Sequence, residues 1–282
     1  MKIDINILKP IVSVLWLNDH LSDENLIILD ATIKKVGTTS EEITAKKQIK
    51  SARFFDLKKV FSDTDAPYPN TIPSPEKFEV EAQKLGINVN SKIVVYDDLG
   101  IYVSARVWWL FTTMGFKNVS VLDGGFPAWK KAGFPIEEQR GRKIEQGNFR
   151  VNYVPKRVSY TQDVLEASSK NTKLIVDARS LGRFLATAPE PRKDIRGGHI
   201  PNSVSLPYAS LQSEGKMKTV AKLKEIFKEI NPTNKELIFS CGSGITACVL
   251  ALGVTLIEDN KYAVYDGSWT EWGSNLKLPI AK

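Results

Sequence analysis

The sequence lacks long apolar runs: nowhere in its 282 residues is there a stretch of the about 20 apolar residues that a transmembrane helix needs. The apolar segment nearest to the N-terminus covers residues 10–17 and then runs into Asn18, Asp19 and His20. No small-residue cleavage site follows, so this segment is not typical of a signal peptide. We therefore expect no membrane partner and a cytoplasmic location.

Cysteine and histidine are also scarce, with two residues of each type. Cys241 and Cys248 cannot form a disulfide framework, and their separation is too large for a comfortable bridge along one helix. The cysteines and histidines do not occur at zinc-finger spacings. These absences predict a reducing compartment, no metal site and no cofactor.

Charge of one sign does not cluster along the chain. The sequence has 39 Lys and Arg against 32 Asp and Glu, which gives a net charge of +7. Its basic runs are no longer than the pairs Lys46-Lys47 and Lys58-Lys59. A nucleic-acid-binding protein usually concentrates its basic residues on one stripe. We therefore expect a solvated basic surface that helps to attract small anions, and no nucleic-acid partner.

Three sequence patches recur in the same order, each shifted by roughly half of the chain length. The pairs are 26–31 with 174–178, 93–97 with 237–241, and 123–129 with 266–272. This repetition indicates a duplicated module. We predict a first module over residues 1–138, a second over 159–282, and between them a polar linker over 139–158 that contains Gly and Pro and has no hydrophobic period.

Short apolar runs alternate with helical patterns in both modules. Six such runs are typical of buried strands, and they cover residues 26–29, 93–96, 119–122, 174–176, 237–239 and 262–265. Apolar residues at three- and four-residue spacing predict helices over 104–111 and 222–230. This alternation predicts an α/β fold of two tandem modules, each a mostly parallel sheet flanked by helices.

The segment after the apolar run 237–239 carries the strongest chemical signal. Cys241 follows that strand, Gly242 and Gly244 permit tight turns, and a helix is predicted to begin near Thr246. A loop between a strand and a helix N-terminus presents backbone N–H groups to an anion. Because helix N-termini lower the pKa of cysteine thiols, we predict a thiolate at Cys241 that could also carry an extra sulfur atom as a persulfide.

Other loops with a cysteine or glycines fit this segment less well. A protein-phosphatase loop places an arginine six positions after its cysteine, where this chain has Ala247, and the Gly-Lys-Ser/Thr of a Walker loop is absent. A Cys–His hydrolase would need His20 or His199, and nothing local pairs either with Cys241. Cys248 lies inside an apolar helical pattern and is expected to be a buried, inert thiol.

The loop Cys241-Gly-Ser-Gly-Ile-Thr-Ala247 resembles the active loop of the rhodanese superfamily, in the branch that acts on 3-mercaptopyruvate. The resemblance covers nearly the whole chain and includes Tyr96-Asp97, Trp108-Trp109, Gly198-His-Ile-Pro201 and the two Asp-Gly patches. It implies two rhodanese-like modules. The first is expected to be non-catalytic, because Asp97 stands where the repeat would have the cysteine.

The resemblance also implies roles for the residues of the loop. Cys241 is expected to be the nucleophile, and the hydroxyls of Ser243 and Thr246 are expected to assist at the substrate thiol or in the shape of the loop. The remaining residues of the loop that holds the persulfide anion are Gly242, Gly244, Ile245 and Ala247.

A second segment holds Arg183 and Arg192, nine residues apart across a Pro-Glu-Pro turn. Guanidinium groups bind carboxylates through paired hydrogen bonds, so the two arginines suit the carboxylate and carbonyl oxygen of a 2-oxo acid. The thiosulfate-using branch resembles Cys-Arg-Lys-Gly in its loop. Gly242 and Ser243 lack those positive charges, which favours 3-mercaptopyruvate as the donor.

The chain departs from the family pattern at two positions. Some members are proposed to use a Ser–His–Asp relay, and the matching positions here hold Lys58 in place of the aspartate and Asn70 in place of the histidine. Neither side chain can do that acid–base work. Either the relay is not essential, or the preferred donor differs in this chain.

The expected activity is transfer of sulfane sulfur from 3-mercaptopyruvate, with release of pyruvate, through a Cys241 persulfide. The expected acceptor is a thiol such as thioredoxin or glutathione, or cyanide. Two alternatives stay open: a thiosulfate sulfurtransferase, and a non-catalytic persulfide carrier or docking module. Arg183 and Arg192 argue against the carrier, which would need no carboxylate clamp.

Overall fold

The six longest described strands of the two modules come from the apolar runs of the sequence. The computed structural model describes residues 8–33, 47–139 and 143–282. The elements of the first module are β1 (Ile11–Val12), α1 (Val14–Asp19), β2 (Leu26–Asp30), β3 (Lys47–Ile49), β4 (Arg53–Phe54), α2 (Pro75–Lys84), β5 (Lys92–Tyr96), α3 (Ser104–Thr113), β6 (Val119–Leu122), α4 (Gly125–Lys131) and β7 (Ile136–Glu138).

The second module begins after a short 3-10 helix, Pro155–Arg157, and contains another, Tyr208–Leu211. Its other elements are β8 (Val158–Ser159), α5 (Thr161–Lys170), β9 (Leu174–Asp177), α6 (Leu181–Phe184), β10 (Ser203–Ser205), β11 (Gln212–Ser213), β12 (Lys216–Met217), α7 (Val220–Ile230), β13 (Leu237–Ser240), α8 (Ala247–Leu256), β14 (Tyr262–Tyr265) and α9 (Ser268–Ser274).

The two main sheets have the same strand order. The first runs β1-β6-β5-β2-β4 and the second runs β8-β14-β13-β9-β10. Every neighbouring pair in both sheets is parallel. The shared order confirms the tandem α/β modules predicted from the sequence repeats, with β13 of the second sheet equivalent to β5 of the first.

Helices cover both faces of the first sheet because alternate strand residues point to opposite sides. Ile27 and Leu29 pack in the cluster that includes residues of α2 and α3, whereas Ile28 packs in the cluster that includes Leu17 of α1 and Trp129 of α4. The α3 face continues into the second module, since α3 packs on α8. One apolar core therefore joins the two modules.

The segment predicted as a linker is irregular over residues 143–154, but it is bound to the first module. The Gly147 N–H donates to Gln83 O at 2.8 Å, and the N–H of the fully buried Phe149 donates to Ile87 O at 3.0 Å. Residues 140–142 of the predicted linker lie outside the described residues. The module boundaries at 138 and 159 stay a prediction.

The described helices are short. The longest of them, α7, has 11 residues. Across residues 8–33, 47–139 and 143–282, no helix is long and apolar enough to cross a membrane.

Candidate active site

A cavity of about 730 Å³ lies where the two modules meet, at the end of β13. Ligands of open parallel sheets bind outside the carboxyl ends of the strands, and this cavity has that position. The first module contributes Lys58, Asn70 and Tyr102 to its lining. The second contributes the predicted site residues Arg183, Arg192, Cys241, Gly242, Ser243, Ile245 and Thr246.

Two of the predicted loop residues lie behind this lining. Gly244 has a left-handed backbone with φ of 75°, and a Cβ there would lie 2.9 Å from Asp266 O. Ala247 is fully buried and is the first residue of α8. These two residues therefore shape the loop, and neither one faces the cavity.

The loop is held in place by the start of α9. Cys241 is almost fully buried, its N–H donates to Ser268 Oγ at 3.1 Å, and its carbonyl accepts the Trp269 N–H at 2.9 Å. The Gly242 carbonyl accepts the Thr270 N–H at 2.9 Å. The first N–H groups of a helix have no partner inside the helix, and here they satisfy the loop carbonyls.

The amides of the loop are free for a ligand. Within the described parts of the chain, no protein acceptor receives the backbone N–H of residues 242 to 246. These consecutive donors precede the N-terminus of α8, where the helix dipole also favours negative charge. The arrangement can hold an anion beside the Cys241 sulfur.

The first module shows what such a loop does with an anion. Asp97 follows β5 as Cys241 follows β13, as the repeat predicts. Its carboxylate accepts the N–H groups of Leu99, Tyr102 and Ser104, each at 2.9 Å, and the Ser104 hydroxyl at 2.7 Å. Burial raises the pKa of Asp97, while these four hydrogen bonds oppose the rise. The equivalent loop of the first module is therefore filled by its own side chain.

Arg183 and Arg192 both line the cavity, but their surroundings differ. Arg183 Nη2 donates to Glu190 Oε2 at 2.6 Å, and its Nε donates to Oε1 at 3.2 Å. Among the described residues, Arg192 makes only long contacts, of 3.4 Å each, to Ser243 Oγ and Thr270 Oγ1. Burial and the nearby Arg183 guanidinium lower the pKa of Arg192. A bound anion would relieve that repulsion.

Arg183 also explains the glycine at position 242. A Cβ on Gly242 would lie 3.1 Å from Arg183 Nη2, which is closer than ordinary van der Waals contact. A side chain at this position would therefore require the Arg183 guanidinium to shift by a few tenths of an ångström.

Two tyrosines that the sequence reasoning did not assign pack against each other in the cavity lining. The rings of Tyr102, from the first module, and Tyr208, from the second, lie 5.6 Å apart. Burial, together with the nearby Cys241, raises the pKa of Tyr102 to about 12. The phenol therefore keeps its proton at neutral pH.

Arg106 of α3 is a further residue that the sequence reasoning missed. It is fully buried, and its Nη2 donates to Asp266 Oδ1 at 2.6 Å and to Asn70 O at 2.7 Å. Its Nη1 donates to Gly244 O at 3.3 Å in the active loop. A single charge inside an otherwise apolar helical pattern was the signal that could have revealed it.

Three other polar or ionisable residues near the loop are held by contacts within the second module. The buried Arg179 pairs with Asp177 at 2.6 Å and also with Glu190 at 2.8 Å. His199 stacks on Phe184, with ring centroids 3.8 Å apart, away from the cavity lining. Cys248 is fully buried in α8, and burial raises its pKa to about 12.

Comparison with known proteins gives consistent results over both modules. The family model for the rhodanese-like domain matches residues 13–132 and 161–275. The chain is 36% identical to 3-mercaptopyruvate sulfurtransferase of Escherichia coli K12 over 269 residues, which cover 94% of this chain and 95% of that protein. It is 35% identical to rat thiosulfate sulfurtransferase over 274 residues, 94% of this chain and 92% of that protein.

A solved structure agrees with these sequence matches. The crystal structure of the 3-mercaptopyruvate sulfotransferase SseA from Escherichia coli superposes with a TM-score of 0.83 at 34% identity. The match covers 93% of this chain and 99% of that one. The similarity in fold therefore extends across both modules.

Proposed function

Because this chain belongs to the rhodanese family and is a sulfurtransferase, we propose that it takes sulfane sulfur from 3-mercaptopyruvate. The sulfur is carried as a persulfide on Cys241 and is passed to a thiol such as thioredoxin or glutathione, or to cyanide. The same proposal includes a cytoplasmic location, where thiol acceptors are kept reduced.

One observation carries this proposal: Cys241, Arg183 and Arg192, all of the second module, line the same cavity. A sulfur nucleophile alone would serve any sulfane donor. In the part of the chain that the structure describes, the contacts of Arg192 are all long, so its guanidinium is available to the carboxylate of a 2-oxo acid. Arg183 adds positive charge beside the same loop, which favours an anionic substrate.

In the first half-reaction, the Cys241 thiolate attacks the sulfur of 3-mercaptopyruvate. The S–S bond forms as the C–S bond breaks, and the bonding pair leaves on the enolate of pyruvate. The proton of the donor thiol ends on the enolate carbon, which gives pyruvate. The free N–H groups of residues 242 to 246 are suited to the charge of the Cys241 persulfide anion.

In the second half-reaction, the acceptor attacks the outer sulfur of the persulfide. The S–S bond breaks, and its electron pair returns to Cys241 as the thiolate. Two half-reactions through a covalent enzyme give ping-pong kinetics. The hydroxyls of Ser243 and Thr246, which both line the cavity, assist at the transferred sulfur.

The test is a comparison of products. With 3-mercaptopyruvate the enzyme should release pyruvate and gain about 32 Da on Cys241, the mass of one persulfide sulfur. The Cys241→Ser variant should do neither. A wild-type protein that gains no mass with saturating donor would contradict the proposal.

Thiosulfate is a second candidate donor, and one observation favours it. Lys58 is exposed, lines the cavity and has no hydrogen-bond or ion-pair partner within the described residues. A cation at this place suits a dianionic donor such as thiosulfate, which would leave sulfite.

We expect Lys58→Ala to lower kcat/KM for thiosulfate about 3- to 10-fold, and to lower it less for 3-mercaptopyruvate. Lys59→Ala is the matched control, since Lys59 is an exposed neighbour that does not line the cavity. Equal loss with both donors would show that Lys58 does not select between them.

A further inference from the structure

Asn70 belongs to the first module but touches the active loop of the second. Its side chain is 7% exposed, and its Nδ2 lies 3.0 Å from Ser243 Oγ and 3.3 Å from Ser243 O. A carbonyl oxygen can only accept a hydrogen bond, so the NH2 group of the amide, and not its oxygen, faces Ser243. The Ser243 hydroxyl therefore accepts a hydrogen bond from Asn70.

The same hydroxyl has a second donor beside it. Arg192 Nη2 lies 3.4 Å from Ser243 Oγ. A hydroxyl has two acceptor lone pairs and one hydrogen, and both neighbours of this oxygen are N–H donors. No acceptor within the described residues receives the Ser243 hydrogen, and Ser243 lines the cavity. The hydrogen is thus the part of the group that remains for a ligand.

Asn70 is itself held firmly. Arg106, fully buried and paired with Asp266, donates to Asn70 O at 2.7 Å and to Gly244 O at 3.3 Å. The guanidinium therefore joins the backbone of residue 70 to the loop that contains Ser243. Asn70 has a left-handed backbone with φ of 63°, a conformation that asparagine, aspartate and glycine tolerate better than other residues.

We propose that Asn70 is a positioning residue, which fixes the Ser243 hydroxyl as a hydrogen-bond donor to the sulfur that is transferred at Cys241. A histidine in this place could accept the serine proton, whereas an amide NH2 group can only donate. Ser243 then acts without titration. Its hydrogen stabilises the negative charge that remains on the outer sulfur once the proton of the donor thiol has passed to the enolate carbon, and no proton passes to the protein.

This inference rests on the proposed function, and three variants of the full chain test it. Asn70→Gly keeps the backbone conformation and removes the amide, Asn70→Asp reverses the hydrogen bond, and Ser243→Ala removes the hydroxyl. For pyruvate release from 3-mercaptopyruvate, we expect each to lower kcat about 10- to 100-fold, with a much smaller change in KM. Thermal melting curves show which variants fold.

Two readouts separate positioning from a structural role. In the Ser243→Ala background, Asn70→Gly should cause no further loss of kcat, because the group through which Asn70 acts is gone. The kcat of Asn70→Asp relative to wild type should rise as the pH falls from 8 to 5. A protonated carboxyl can donate as the amide does, whereas a carboxylate takes the serine hydrogen.

Other results would overturn the inference. Unchanged kcat in Asn70→Gly, losses that multiply in the double variant, or a flat pH ratio for Asn70→Asp would each show that Asn70 does not act through Ser243. Failure of the proposed function has a different signature. If the proposed function is wrong, the wild-type protein forms no Cys241 persulfide. If the wild type forms the persulfide and the Asn70 variants form it slowly, the proposed function stands.

Discussion

Cys241 and Cys248 lie close together in the sequence and have opposite surroundings. Cys241 lines the cavity beside unpaired loop amides, whereas Cys248 is enclosed in α8 and its Sγ donates to Gly244 O at 3.2 Å. Both side chains are almost fully buried, so burial alone does not separate them. The difference is access from the cavity and the presence of groups that stabilise a negative charge on sulfur.

The first prediction follows from this difference. Burial raises the pKa of Cys248 to about 12, so its thiol stays protonated and unreactive at pH 8.5. Iodoacetamide at that pH should modify Cys241 alone, as read by peptide mass spectrometry. The Cys248→Ala variant should keep its activity, and alkylation of Cys248 in the folded protein would contradict the prediction.

A second prediction concerns Arg192. Lysine keeps the positive charge but lacks the planar fork that binds a carboxylate through two hydrogen bonds. We expect Arg192→Lys to raise KM for 3-mercaptopyruvate about 10-fold or more. Arg150→Lys is the control, since Arg150 is 72% exposed and does not line the cavity. An unchanged KM in Arg192→Lys would exclude a carboxylate contact.

Among single residues, the sequence predicted those site residues that belong to short, contiguous motifs. Cys241, the loop after it and the two arginines belong to short motifs, and they do line one cavity, apart from Gly244 and Ala247. Asn70 and Arg106 act on the loop from the other module. Their partners in the loop lie more than 100 positions away, so sequence spacing does not show these contacts. The sequence pointed to Asn70 only through the family resemblance, and to Arg106 only as a charge inside an apolar helical pattern.

At the scale of elements, the ion pair between Arg106 of α3 and Asp266, two residues before α9, holds the active loop. Arg106 and Asp266 are both buried, and Asp266 Oδ2 also accepts the Ile72 N–H at 2.8 Å. Removing one partner of a buried pair leaves the other charge uncompensated. The contact therefore matters more for folding than a surface pair would.

The third prediction compares a buried and an exposed pair. Arg106→Met should lower the free energy of unfolding by about 3–5 kcal/mol, because it leaves the Asp266 carboxylate buried without its cation. Arg150→Met breaks the exposed pair with Glu79 and should cost less than about 1 kcal/mol. Urea unfolding curves measure both values. Equal losses would show that the Arg106 pair contributes no more than a surface contact.

The strands were easier to predict than several of the helices. The strand runs 119–122 and 262–265 match β6 and β14, because four consecutive apolar or small residues in a buried parallel strand are distinctive. The sequence patterns did not predict the short helices α4 and α9, which begin within the repeated patches 123–129 and 266–272. Helices of seven residues are too short to show a hydrophobic period. The strands β1 and β8 have two residues each, so they are also too short to show a hydrophobic pattern in the sequence.

At the scale of the whole molecule, the modules share one apolar core. Residues of α3 and α8 belong to a single cluster that also includes strand residues of both sheets. The irregular segment 143–154 is bound along the first module by backbone hydrogen bonds. Neither module can therefore lose its packing without exposing apolar surface of the other.

A fourth prediction follows for unfolding. Far-UV circular dichroism and the fluorescence of the buried tryptophans should report one common transition in urea, because the two modules unfold together. Arg106→Met should shift both signals equally, although Arg106 lies in the first module. Two separate transitions would show that the modules are independent folding units.

The cavity wall that both modules share has a consequence for how the molecule responds to its ligands. A donor that contacts both modules binds only when the two are packed together. Its binding therefore raises the free energy of unfolding of the whole chain. The first module has Asp97 where the second has Cys241, and it still contributes residues such as Asn70 and Tyr102 to the cavity lining. The duplicated module thus forms one wall of the cavity, and the wall that carries the Cys241 sulfur comes from the second module.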